Sequence, residues 1–160
     1  MTPLHSDARP GRTMAGASRR SGSSGLSGGY RAWAMDVGNI DEREAFTTLD
    51  GSTIREIAGR TTLPSRHQSL AEATVPPGGA TVAHYHPQSE ELYFFTAGHG
   101  RLRVAGAWRE VGPGDCAVLP PGVEHKLENP GAEPLVLLCC CSPPYAHEDT
   151  VLTEEPRSAP

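Results

Sequence analysis

Between residues 66 and 141 the chain is cut into short pieces by glycine and proline. The clusters PPGG, HPQS, GHG, GPG, PPG and NPG separate runs of nine residues or fewer. That punctuation leaves no window in which a helix of ordinary length fits, because Gly and Pro interrupt every candidate before three turns are complete. The runs are HQSLAEATV (67–75), TVAHYH (81–86), ELYFFTA (91–97), GRLRVAG (100–106), AWREV (107–111), DCAVLP (115–120), EHKLEN (124–129) and EPLVLLCCC (133–141). Each has strand length and is either alternating or continuously apolar. Strands in this number, at this spacing, predict an all-β sandwich or barrel. Upstream, STIREIAGR (52–60) fits either a short helical turn or an edge strand.

With 160 residues, of which 37% are hydrophobic, the chain suits a single domain with one core. Residues 1–34 are expected to be a disordered tail, since the first 29 hold six Gly and six Ser and almost nothing apolar to offset the entropy of ordering. Met35 is an alternative start that would remove this tail. Residues 35–65 are read as an N-terminal segment packing on the barrel, 66–147 as the barrel and 148–160 as a mobile C-terminal tail.

Charge narrows the partners. Residues 1–34 carry five Arg and one Asp, while the remainder carries nine basic and eighteen acidic residues, including the chain's only Lys. An acidic body with no clustered basic face argues against nucleic acid. The longest apolar run, LVLLCCC at 135–141, has the length of a buried strand and not of a membrane span. The basic N-terminal stretch lacks the apolar block of a secretory signal. Three adjacent cysteines, Cys139, Cys140 and Cys141, with Cys116 apart, do not resemble a disulfide framework, so a reducing cytoplasm is the expected location.

The chemistry concentrates in HYHPQSEELYFFTAG (84–98). His84 and His86 are two apart, and in a strand such positions share a face, so both imidazoles can converge on one point. Glu91 lies at an odd offset from them, on the opposite face of a strand that ran straight through. Pro87 and the turn-prone PQS predict that the chain reverses and brings Glu91 back beside the histidines. Two imidazoles and a carboxylate suit a divalent first-row transition metal. His125, delivered by the rigid PPG loop, supplies a fourth donor.

Taken together, these residues resemble the cupin superfamily. Its first motif, G(X)5HXH(X)3-4E(X)6G, is matched by Gly78, His84, His86, Glu91 and Gly98. Its second, G(X)5PXG(X)2H(X)3N, is matched by Gly114, Pro120, Gly122, His125 and Asn129, and fifteen residues separate the two. The resemblance covers about 66–141 and is similar to small single-domain cupins. It implies a conical β-barrel of jelly-roll topology and one divalent metal per chain (Fe, Mn, Ni, Cu or Zn) held by His84, His86, Glu91 and His125. It also implies a small-molecule substrate or ligand and a homodimer. Motif glycines serve tight turns and Pro120 stiffens the His125 loop.

Three histidines and a carboxylate leave two positions open on a six-coordinate ion. A metalloenzyme acting on a small oxygen-rich metabolite is therefore expected, with dioxygenase chemistry first and isomerase, epimerase or lyase chemistry as the alternative. A non-enzymatic small-molecule-binding module competes with both. Glu90 is the rival carboxylate to Glu91. Tyr93 and Glu90 are the catalytic candidates, Tyr93 sharing the inward parity of Glu91 with Phe95. His67, Gln68 and Ser69, together with His147 and Asp149 of the YAHED segment, are further candidates for acid–base work. Of the cysteines, Cys139 and Cys141 share one face of the last strand, and small buried hydrophobes are the expected role. His99 is read as an exposed turn residue.

Overall fold

The computed structural model describes residues 35–155. The expected tail over 1–34, and positions 156–160 of the expected C-terminal tail, lie outside the described residues. Eleven strands follow one another along the described chain: β1 Phe46–Thr47, β2 Thr53–Ala58, β3 Ser69–Val75, β4 His84–Tyr85, β5 Glu90–Ala97 and β6 Gly100–Val104, then β7 Ala107–Val111, β8 Cys116–Leu119, β9 His125–Glu128, β10 Leu135–Ser142 and β11 Val151–Leu152. Single 3-10 turns stand at Ile40–Glu42 and His147–Asp149.

The strands form two antiparallel sheets, one ordered β1-β2-β3-β10-β5-β8 and the other β11-β4-β9-β6-β7. Consecutive strands repeatedly cross from one sheet to the other, which gives the all-β jelly roll its topology. STIREIAGR is neither a helical turn nor an edge strand. β2 lies between β1 and β3, with Ile54 buried and paired to Ala73. The 35–65 segment, expected to pack on the barrel, contributes two strands to the larger sheet. Likewise, part of the expected C-terminal tail joins the smaller sheet, Val151 and Leu152 pairing with Tyr85 and His84 of β4.

Strand register stacks the inward side chains in layers that change in size along the barrel. At one end Ser69 of β3 stands opposite Cys141 of β10, and Cys141 opposite Glu91 of β5. One layer further in come Ala71, Cys139 and Tyr93. Below them Ala73 and Leu137 share a layer with Phe95, and Val75 pairs with Leu135. Phe95, Leu119, Leu135 and Leu137 are completely or almost completely buried. Large side chains therefore fill one end, while Ser, Ala and Cys leave the other end hollow.

The four motif glycines, Gly78, Gly98, Gly114 and Gly122, all have positive φ, at 71°, 74°, 92° and 75°. At Gly98 the requirement is doubled, since an added Cβ would lie 2.3 Å from the Pro134 carbonyl oxygen. Asn129, the last motif residue, is 1% exposed and ties three segments together. Its amide donates to the carbonyls of Val75 (2.9 Å) and Glu133 (2.8 Å), and its oxygen accepts from the Gly131 N–H (3.0 Å).

Truncating the filled end should be far costlier than trimming the outer face. Phe95→Ala is expected to lose about 3–5 kcal/mol in urea denaturation, and Leu92→Ala, on the outward face of the same strand, less than half as much.

Candidate metal centre

Two sheets meet at the hollow end. His84 in β4 pairs directly with His125 in β9, so their rings sit side by side at 4.3 Å between centroids. His86, two residues on, keeps the same face and lies 5.3 Å from His84 and 5.7 Å from His125. After His86 the chain turns through Pro87–Ser89 and enters β5 in the opposite sheet, where Glu91 faces inward. The reversal expected at Pro87 is thus a crossing between sheets, and Glu91 meets the histidines from the facing wall. One ligand atom from each of these four buried residues lies within 4.8 Å of all the others, so the group could hold a metal ion.

Neighbouring groups fix each ring. The Nδ1 atoms of His84, His86 and His125 are 2.8, 2.9 and 3.0 Å from the carbonyl oxygens of Val82, Asp149 and Val123. With Nδ1–H donated to a carbonyl, each imidazole turns Nε2 toward the centre, the orientation a metal ligand needs. The His125 loop is tied to this arrangement, because Gly122 N–H donates to the His86 carbonyl at 2.8 Å. Asp149 acts as a clamp on the His86–Glu91 crossing. Its carboxylate accepts from the amides of Gln88 and Ser89 (both 2.9 Å) and from the Ser89 hydroxyl (2.7 Å). On the other wall, the Cys141 thiol donates to Glu91 Oε1 at 3.4 Å, leaving Oε2 aimed inward.

Glu91 Oε2 lies 3.3 Å from His86 Nε2 and 3.5 Å from His125 Nε2. Even so, Glu91 Oε2 and His125 Nε2 are fully buried with no hydrogen-bond partner among the described residues. Buried polar atoms left unpaired are costly, and two of them pointing at a common centre fit a site that a cation would satisfy. Electrostatics agree. Burial works to raise the Glu91 carboxyl, but the His125 and His86 rings outweigh it and hold it down to about 2. Burial, with His125 beside it, lowers His84, whereas for His86 the Glu91 carboxylate overcomes burial and raises it.

Of the four, His84, His86 and Glu91 line a small cavity of about 50 Å³, room for a few water-sized groups, so the reacting part of any ligand is small. Tyr93 lines it too, and its hydroxyl makes no hydrogen bond with the described residues. Glu90 does not reach it, being exposed on the outward face of β5 opposite Ser142. Of the three residues before the first motif, Ser69 faces inward and lines the cavity while His67 and Gln68 are exposed. Cys139 and Cys141 line the cavity as well, and burial pushes both thiols well up, so they stand as neutral side chains. His99 is exposed. His147 is exposed, and its Nδ1 lies 3.2 Å from the hydroxyl of Tyr145, a cavity residue whose phenol burial pushes up to about 12.

Sequence reading missed Thr48, Asp50, Ser52 and Thr150, all of which line this cavity, while Tyr145 of the YAHED segment also lines it. Only the turn signal DGS at 50–52 hinted at structure there, and a turn reads as a solvent-exposed loop.

A family profile described as Cupin domain matches residues 71–141. An uncharacterised protein of Methanocaldococcus jannaschii is 44% identical over 114 residues, which are 71% of this chain and 91% of that protein. A mannose-1-phosphate guanylyltransferase of Escherichia coli is 37% identical over 79 residues, 49% of this chain but 17% of that enzyme, so the likeness is confined to one part of it. Among solved structures, a sugar phosphate isomerase from Silicibacter pomeroyi matches with a TM-score of 0.58 at 21% identity, over 68% of this chain and 75% of that one. At that identity the likeness concerns the fold.

His84→Ala and His125→Ala proteins should keep the barrel, seen by circular dichroism, but retain less than a tenth of the wild-type metal by mass spectrometry of the metal content, while His99→Ala retains all of it. Asp149→Ala should weaken metal affinity roughly 10- to 100-fold through the loosened His86.

Proposed function

The chain belongs to the cupin family, and on that premise we propose that it is a metal-dependent enzyme acting on a small oxygen-rich metabolite. His84, His86, Glu91 and His125 hold one divalent transition-metal ion, Fe, Mn, Ni, Cu or Zn. The observation that carries this reading is the pair of buried unpartnered atoms, Glu91 Oε2 and His125 Nε2, at the meeting point of four oriented donors. An ion held there supplies Lewis acidity toward a ligand oxygen and, if redox-active, a route for dioxygen.

The protein's own residues support proton-transfer chemistry, of the isomerase or lyase kind, ahead of oxygenation. Tyr93 brings a free hydroxyl to the cavity, and Tyr145 brings a phenol coupled to the exposed imidazole of His147, a path by which a proton can exchange with solvent. Apolar neighbours such as Ala71, Ala73 and Leu137 keep bulk water from the far side of the ligand. Dioxygenase chemistry is the second reading, favoured by the three-histidine, one-carboxylate donor set.

Four free cysteines suit a reducing cytoplasm, and none of the helices among the described residues is long and apolar enough to cross a membrane. A homodimer is supported by the outward face of β5 and β8. Leu92, Phe94 and Val118 are exposed there and adjacent in register.

Metal content of untagged protein, followed by assays of sugars, diols and enols with and without dioxygen, tests the reaction class. Turnover that persists without oxygen is the expected result. Substrate-dependent oxygen uptake would establish the second reading, and stoichiometric metal with no turnover would leave a binding protein. For the assembly, sedimentation should give a dimer that Phe94→Glu converts to monomer, and a monomeric wild-type protein would refute it.

A further inference from the structure

Two carboxylates of the cavity lining are not used by the metal centre, Asp50 and Glu56, and of these Asp50 is the buried one. Asp50 sits in the turn between β1 and β2, where Gly51 takes φ of 85° and so lets the chain double back sharply. The turn directs Asp50 inward, and it is 7% exposed among the cavity residues. Its Oδ1 accepts from the Thr48 hydroxyl, from the Ser52 hydroxyl at 2.9 Å and from the Ser52 amide at 3.2 Å. Three donors on one oxygen fix the plane of the carboxylate. Oδ2 accepts no hydrogen bond among the described residues and remains available to a ligand.

Asp50 is also built into the support of the metal centre. Its carbonyl accepts from the Val82 N–H at 2.7 Å, and the Val82 carbonyl in turn holds His84 Nδ1. The carboxylate and the His84 ring are therefore held in a fixed relation by one short stretch of backbone.

The charges of the cavity wall are one-sided. Besides the donor Glu91, the charged side chains lining it are Asp50 and Glu56, and neither Lys nor Arg lines it among the described residues. The buried Lys126 is engaged elsewhere, paired with Glu154. Formally, one divalent ion is balanced by Glu91 and Asp50 together. A phosphate or dicarboxylate entering such a space meets no cationic side chain and faces an added negative charge, whereas a neutral hydroxyl finds an acceptor.

We propose that Asp50, fixed by Thr48 and Ser52, is a substrate-binding residue that accepts a hydrogen bond from a hydroxyl of an uncharged polyhydroxylated ligand, so that the cavity selects neutral polyols or sugars over dianions. The proposal rests on the metal-site reading given above and specifies its substrate class.

The test uses full-length protein loaded with manganese, its stoichiometry measured first, and water-proton relaxation to follow ligand arrival at the ion. The probes are ribose, erythritol and glycerol as uncharged ligands and oxalate as the dianion. At least one uncharged probe should bind more tightly than oxalate. Asp50→Asn should bind manganese at the same stoichiometry, lose roughly tenfold in affinity for that probe and gain affinity for oxalate. A wild-type preference for oxalate, or no binding of any uncharged probe, overturns the proposal without needing the variant. It is equally overturned if Asp50→Asn changes neither affinity. Failure of the wild-type protein to take up manganese, or iron, nickel, copper or zinc in its place, is seen before any ligand is added; it removes the metal reading itself and the proposal with it.

Discussion

Everything at the site depends on a gradient of side-chain size along paired strands. β3, β10 and β5 are locked together by antiparallel ladders, with one register shift at Val136/Leu137 between β10 and β5, so from Leu137 to Cys141 whatever faces inward on β10 faces inward with its partners at the same level. Leu135, Leu137 and Phe95 close one end by packing, and that packing provides the rigidity. At the other end Ser69, Ala71, Cys139 and Cys141 are too small to meet across the gap. The hollow is what admits four polar donors into a core that would otherwise expel them, since polar groups are tolerated inside only where partners or a ligand satisfy them.

A second layer of backbone groups turns this hollow into a coordinating geometry. Each histidine is aimed by a carbonyl, from Val82, Val123 or Asp149, and those carbonyls belong to segments that are themselves pinned. Glu91 is aimed by a thiol. The triple cysteine of β10 thus divides its labour by parity, with Cys139 and Cys141 as neutral inward groups and Cys140 on the outer face.

Much of this was legible in the sequence. Gly and Pro punctuation marked the strands from 67 to 141, and the spacing of His84, His86, Glu91 and His125 identified the donors that the fold brings together. The register of β5 was legible only through motif spacing: EELYFFTA slipped by one residue would present Glu90, Leu92 and Phe94, a nearly equivalent inward set, and the interval from Glu91 to Gly98 chose Glu91, Tyr93 and Phe95, as the structure has them. Two features were not legible, for physical reasons. Asp50 was overlooked because a DGS turn normally meets water, and only the long-range pairing of β2 with β3 tucks it under the sheet. Asp149 was grouped with the acid–base candidates because a lone acidic residue near the barrel mouth carries no mark of the amides it will cap.

The clamp by Asp149 also makes the site depend on residues far apart in the chain. His86 receives its carbonyl from a residue 63 positions later in the chain, and the turn leading to Glu91 is capped by the same residue. The four candidate donors therefore reach a common geometry only where the segment after β10 closes back on the crossing between β4 and β5, a requirement that the packing of the filled end does not share.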